Sequence, residues 1–98
     1  MTNDSKFNLL KNFENYLIKE GYSKLTPSGH PSTVYDYGKR VNTICKKEAI
    51  SIKNLSENID FYVGKYDEFG SAAQFGNKSH RAYINALKRF RDFVNSLI

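Results

Sequence analysis

One cysteine, two prolines and no long apolar run set the first limits on this chain of 98 residues. A lone thiol, Cys45, cannot close an internal disulfide, so folding has to rest on packing. No apolar stretch approaches the ~20 residues that span a bilayer. The opening "MTNDSKFNLL" lacks the basic region, apolar stretch and small-residue cleavage site of a secretory signal. The expected setting is a soluble, cytoplasmic protein without membrane partners, in which the acceptor-like "NLS" at Asn54 and "NKS" at Asn77 carry no weight. Both prolines, Pro27 and Pro31, fall in one stretch, "YSKLTPSGHP", which reads as a loop. It is long for a small bundle, and long loops are more often functional or mobile than short ones.

Groups that converge for catalysis are also scarce. Neither His30, in the loop, nor His80, near the start of the last helix, is spaced with another histidine, cysteine or carboxylate as a metal site requires. Ser79 and His80 are sequence neighbours, so their side chains diverge on a helix and do not form a nucleophile–base pair. Gly70 and Gly76 flank "SAAQF" without the Gly-Lys-Ser/Thr ending of a phosphate loop. Asp67 and Glu68 at a helix end read as solvated charge. The expectation is a chain that is not an enzyme, with no cofactor and no metal.

The length suits one small domain with a single core. Apolar residues at 40% and aromatics at 14% favour a folded chain over a disordered one. The net charge of +5 is unevenly spread. Residues 1–30 carry four lysines against three acids, and residues 31–55 five cations against two acids. Residues 56–76 reverse the balance, with Lys65 against Glu57, Asp60, Asp67 and Glu68, and residues 77–98 set five cations against Asp92. Two basic segments therefore enclose an acidic one. Facing one side, they would offer a positive surface to a polyanion; facing apart, they would only keep the protein soluble.

Periodicity predicts an all-α fold, a compact bundle of four helices over about 5–20, 32–48, 56–67 and 77–97. In the first helix, with Asp4 or Ser5 as N-cap, Leu10, Phe13 and Leu17 form a stripe that Leu9 and Tyr16 widen, and Gly21 stands where a C-terminal cap belongs. Val34, Tyr37, Val41 and Ile44, with Cys45 at the edge, make the inner face of the second. "AISIKNL" reads as a linker pinned by Ile50, Ile52 and Leu55. Ser56 is expected to cap a third helix that buries Ile59, Tyr62, Val63 and Tyr66. "DEFGSAAQFGN" then breaks the pattern with two glycines. Tyr83, Leu87, Phe90, Val94 and Leu97 give the last helix its apolar stripe.

The outer faces carry the chemistry. On the second helix Tyr35, Lys39, Asn42 and Lys46 recur at steps of four, three and four, beside the apolar stripe. On the last, Lys78, Arg81, Asn85 and Lys88 recur likewise, with Arg89 adjacent. Lysines neutralise phosphates, and tyrosine and asparagine donate hydrogen bonds to phosphates or base edges. Ser32, Thr33 and Ser79 stand at helix N-termini, where free amides and the helix dipole favour an anion. The plainer reading is that a charged stripe opposite an apolar one is what any solvated bundle helix shows. Asp36 and Arg40 match a simple intrahelical ion pair worth ~0.2–0.5 kcal/mol. Tyr35 also fits a helix–helix edge. Gly38, mid-helix at a cost of ~1 kcal/mol, is explained if another backbone comes close.

Taken in order, "FENYLIKEGYS", "STVYDYGKRVNTI", "ISIKNLSENIDFYV" and "SHRAYINALKRFRDFV" resemble the core-binding domain of tyrosine recombinases, the phage-integrase type. The resemblance runs from about Phe7 to Leu97. It implies a small SAM-like α bundle that clamps one side of duplex DNA through its second and fourth helices, with strand cleavage left to a separate catalytic domain. Carried over by position, it implies contacts from Ser32, Thr33, Tyr35 and Lys39 and from Lys78, Ser79, Arg81, Asn85 and Lys88. Arg40, Lys46 and Arg89 complete the candidate nucleic-acid-binding set. The leading expectation is a non-catalytic domain that binds double-stranded DNA. The alternative is a protein-interaction module, an accessory or inhibitory protein of a mobile genetic element, docking through Tyr22, Phe69, Phe75 and the loop at 22–31. A third is a purely structural domain within a larger chain.

Overall fold

The computed structural model of the chain describes residues 4–22 and 33–97; the side chains of residues 4–8, 33 and 80 lie outside that description. Ser32, His30 and the loop at 23–30 therefore lie outside the described residues, as do the capping side chains of Asp4 and Ser5. Among the described residues there are six helices and no strand: α1 (Asp4–Lys19), α2 (Thr33–Glu48), α3 (Ile52–Glu57), α4 (Ile59–Tyr66), α5 (Ala73–Gly76) and α6 (Lys78–Ser96). The all-α expectation holds, whereas the count of four does not. α1, α2 and α6 follow the expected segments, and the differences fall between residues 50 and 77.

The third expected helix is two helices, and it begins earlier. Ser51 supplies the N-cap, its Oγ accepting the Asn54 N–H at 3.0 Å. Such a cap satisfies one of the amides left free in a first turn. Ser56, expected in that role, lies inside α3 and donates to the Lys53 carbonyl at 2.7 Å. Asn58 closes α3, its backbone N–H shared between the Asn54 and Leu55 carbonyls at 3.1 and 3.2 Å, and α4 starts at the next residue. The two-glycine stretch holds the short α5. A Cβ on Gly70 would overlap the Lys65 carbonyl, and one on Gly76 would overlap the Tyr66 carbonyl. The turn after α4 and the end of α5 therefore pack against the last carbonyls of α4 more closely than any side chain permits.

α1 and α2 end alike. The Tyr22 N–H reaches the Leu17 carbonyl at 3.0 Å and the Gly21 N–H reaches Ile18 at 3.1 Å, with Gly21 at φ +104°. After α2, the Ile50 N–H reaches Cys45 at 3.0 Å and the Ala49 N–H reaches Lys46 at 3.2 Å. Both are Schellman caps, but the left-handed position of the second is occupied by alanine, at φ 59°.

The core joins Phe13 and Leu17 of α1, Val34, Val41, Ile44 and Cys45 of α2, Ile52 and Leu55 of α3, and Ile59, Val63 and Tyr66 of α4 to five residues of α6. Those five are Ile84, Ala86, Leu87, Phe90 and Phe93. Phe13 stands edge-on to Phe90 with ring centroids 5.2 Å apart and tilts against Phe93 at 5.7 Å. Tyr83 and Val94 only border this core, and Leu97, past the end of α6, is 60% exposed rather than buried. α6 packs against both α2 and α4, so its buried arc is wider than one stripe. Gly38 is buried against α1, but no other backbone comes close: an added Cβ would meet only the end of the flexible Glu14 side chain, 2.8 Å away, which can move aside.

Replacing Ala49 by glycine removes the cost of a left-handed Cβ, about 1–2 kcal/mol, and gives back part of it as unfolded-state entropy. Ala49→Gly is expected to raise stability by about 0.5–1 kcal/mol, read as a higher urea midpoint with an unchanged slope.

Candidate functional site

α2 presents two outward rows. Tyr35, Lys39, Asn42 and Lys46 make the first: Tyr35 is 49% exposed, both lysines are exposed and Asn42 is half-buried. Among the described residues Lys39 and Lys46 hold no ion pair. One position along, Asp36, Arg40, Thr43 and Lys47 repeat the spacing of four, three and four, and this row meets α6. Arg40 lies over the Tyr83 ring, 5.9 Å from its centroid, and is not ion-paired with Asp36. Asp36, Lys39, Arg40 and Thr43 line a small hollow of about 170 Å³ with Tyr83.

Tyr83 leads on to Phe75, whose ring centroid is 4.5 Å away. The Lys47 ammonium of α2 lies 5.0 Å from the Phe75 centroid, and the Lys78 ammonium, in the first turn of α6, lies 5.3 Å from it. Each such cation–π contact is worth about 0.5–1 kcal/mol in an exposed setting. Together they bring cations from both basic segments onto one aromatic seam. Phe75 is itself half-buried and packed edge-on to Tyr66 at 5.9 Å. Tyr22 likewise stacks on Tyr37 at 5.9 Å. Of the three aromatics expected to stand free for a protein partner, only Phe69 does, at 95% exposure.

The rest of the α6 stripe divides between two other flanks. Asp67 accepts from Arg81 at 3.5 Å and from Lys88 at 3.2 Å. Asp67 also accepts the Glu68 N–H at 2.8 Å. That backbone bond and the two cations hold its carboxyl below the usual carboxylate range. Arg89 faces the other way, pairing with Asp92 at 3.2 Å and donating to Tyr22. Partial burial weakens its charge, but the Tyr22 hydrogen bond and the Asp92 carboxylate more than restore it, so its pKa is raised. Asn85 is exposed between these flanks.

The start of α6 is not a regular helix N-terminus. Ser79 and Arg81 have φ of 54° and 67°. The side chain of the N-cap residue, Asn77, donates back to the Ala73 carbonyl at 2.9 Å rather than capping. Ser79 is exposed there, and the side chains of Thr33 and His80 lie outside the described residues, as does Ser32. Among the described residues, no group of three or more His, Cys, Asp or Glu is placed to hold a metal ion.

Sequence reasoning missed Lys47, Phe75 and Tyr83 as parts of one surface. The signal was the second row of α2, in which Arg40 and Lys47 stand seven residues apart, on the same side of the helix. The seam depends in turn on a buried polar tie. Glu48, at the end of α2, accepts from the Tyr66 hydroxyl at 2.5 Å and from Lys65 at 2.9 Å. Burial works to raise the Glu48 pKa, and the two hydrogen bonds outweigh it, leaving the carboxyl below its ordinary 4.5. Burial first, and the neighbouring carboxylate second, push the Tyr66 hydroxyl well above its ordinary 10.0.

No known protein-family model, curated protein or solved structure matches the chain. No described helix is long and apolar enough to cross a membrane.

Tyr66→Phe is expected to cost about 1.5–3 kcal/mol, the range for a hydrogen bond to a charged group. Because Glu48 and Asp67 are held below their ordinary values of 4.5 and 3.8, their contributions are present above those values and fade as pH falls through the depressed ones. Because Tyr66 is raised, its contribution is complete below its ordinary 10.0 and fades at higher pH. Urea midpoints taken across the pH range should fall at both ends, and Glu48→Gln should flatten the acid limb.

Proposed function

We propose that this chain is a non-catalytic DNA-binding domain that holds duplex DNA along the seam between α2 and α6. Lys39, Arg40, Lys46, Lys47 and Lys78 contact phosphates there, and Tyr35 hydrogen-bonds at the edge. One observation carries the reading: Lys47 and Lys78, from the two basic segments, lie 5.0 and 5.3 Å from the centre of one ring, Phe75. One cation from each segment thus meets at the same seam, and charge gathered there favours a polyanion. The resemblance to the core-binding, SAM-like domain of tyrosine recombinases points to the same two helices. Phosphate contacts set position more than sequence, so sequence preference is modest. Arg81 and Lys88 are secondary contacts in this reading because Asp67 already draws on their charge.

A second reading has its own observation. Phe69 is 95% exposed and Phe61 65%, and exposed aromatics anchor protein interfaces. On that reading the chain is an accessory or inhibitory module of a mobile element that docks on a protein through α4.

Gel shifts on a short duplex at about 50 and 200 mM salt separate the two, because each phosphate contact adds close to one to the salt slope. Lys47→Ala with Lys78→Ala should weaken binding and lower the slope by about two. Arg81→Ala with Lys88→Ala should do less. An absence of binding at the lower salt, or a Lys47/Lys78 variant indistinguishable from the parent, removes the DNA reading.

A further inference from the structure

Asp36 stands among the cations of the α2–α6 seam without pairing with any of them. Lys39 and Arg40 follow it by three and four residues, the spacings at which an aspartate on a helix meets a basic side chain. Among the described residues its carboxylate nevertheless makes no ion pair. Arg40 is drawn instead over the Tyr83 ring, 5.9 Å from its centroid. Asp36 is half-buried, on the wall of the hollow of about 170 Å³ that it lines with Lys39, Arg40, Thr43 and Tyr83. Thr43 adds a second acceptor there. Its hydroxyl proton is committed to the Lys39 carbonyl at 3.0 Å, which leaves the oxygen only to accept.

An acid in the first turn of α2 is favoured by the helix dipole, but the dipole gives no reason for two acceptors to line a hollow between cations. A phosphate gives none either, since a carboxylate repels it. The hollow suits a hydrogen-bond donor flanked by phosphates, which is what a base edge in a DNA groove offers. We propose that Asp36 reads a cytosine, its carboxylate accepting from the N4 amino group of a C·G pair in the major groove while the seam cations hold the neighbouring phosphates. The major-groove edges present two donors, N4 of cytosine and N6 of adenine. Adenine's amino group lies between two acceptors, its own N7 and the thymine O4, and both repel a carboxylate. Cytosine's has one such neighbour, guanine O6. The contact rests on the seam binding DNA, and it adds one base pair that phosphate contacts cannot specify.

Selection from a pool of short duplexes randomised at the centre tests the contact. The parent protein should enrich one position for C·G. On the selected duplex, exchanging that pair for T·A sets the thymine O4 against the carboxylate and should weaken parent binding about tenfold. Asp36→Ala should bind the two duplexes about equally. Asp36→Asn, whose amide donates as well as accepts, should move the preference at that position to adenine. Lys47→Ala with Lys78→Ala should weaken both duplexes alike, because phosphate contacts do not distinguish sequence. A role confined to the helix dipole would change the melting temperature of Asp36→Ala and leave its base preference as in the parent. A parent that enriches no cytosine, or an Asp36→Ala protein that still prefers the selected pair, would overturn the proposal and leave the DNA reading standing. A pool that is not retained at about 50 mM salt would remove both.

Discussion

The hydrogen bond from the buried Tyr66 hydroxyl to Glu48 fixes the end of α2 against the end of α4, and the outer features are placed from that corner. Tyr66 has no exposed surface, yet it ends in a polar group that must be satisfied where it lies. Glu48 satisfies it at 2.5 Å, and Lys65 neutralises the resulting carboxylate at 2.9 Å. Held there, α4 offers its last carbonyls to the turn that follows: the Ala72 N–H reaches Lys65 at 2.8 Å, and Gly70 and Gly76 close in where a side chain would collide. That turn sets Phe75 between Tyr66 and Tyr83. The ring under Lys47 and Lys78 is thus positioned by a charged hydrogen bond rather than by helix propensity.

The same corner decides how the positive charge is spent. Asp67, the residue after α4, stands between Arg81 and Lys88 and takes up part of their field. Arg89 is committed to Asp92 and Tyr22 on the opposite flank. Among the described residues the cations of α2 and Lys78 in the first turn of α6, like Lys11 and Lys19 of α1, have no carboxylate partner. At these exposures an ion pair contributes little to stability, so the pairing acts chiefly on the surface potential. It subtracts from the middle of α6 and leaves the seam. The acidic segment therefore shapes the basic surface from within the fold.

Much of this architecture was legible from spacing alone, and its limits are local. The periodicity of Phe13 and Leu17, of Val34, Val41 and Ile44, and of Ile59, Val63 and Tyr66 picked out buried residues because each of these helices has one face toward the core. It failed on α6, where Ile84, Ala86 and Phe93 are buried as deeply as Leu87 and Phe90. A helix gripped on two sides has no single stripe to detect. Ser51 and Ser56 are equally good caps by residue type, and the choice falls to where Ile52 and Leu55 must point. Asp36 and Arg40 have ion-pair spacing, but the Tyr83 ring across the helix interface competes for the guanidinium. In each miss a neighbour from another element overrode a local rule.

For the candidate surface the missing information was which of two adjacent rows on α2 faces α6. Both rows repeat at four, three and four, and both carry two cations, so composition does not separate them. What separates them is the aromatic partner. Lys47 and Arg40 are braced over Phe75 and Tyr83, whereas Lys39 and Lys46 extend into solvent. A braced cation loses less rotamer freedom when it meets a phosphate, a saving of up to about 0.5–1.5 kcal/mol per side chain. An unbraced lysine is better suited to conform to whatever surface approaches. The two rows thus differ in kind: one presents pre-positioned charge, and the other presents adaptable charge beside Tyr35.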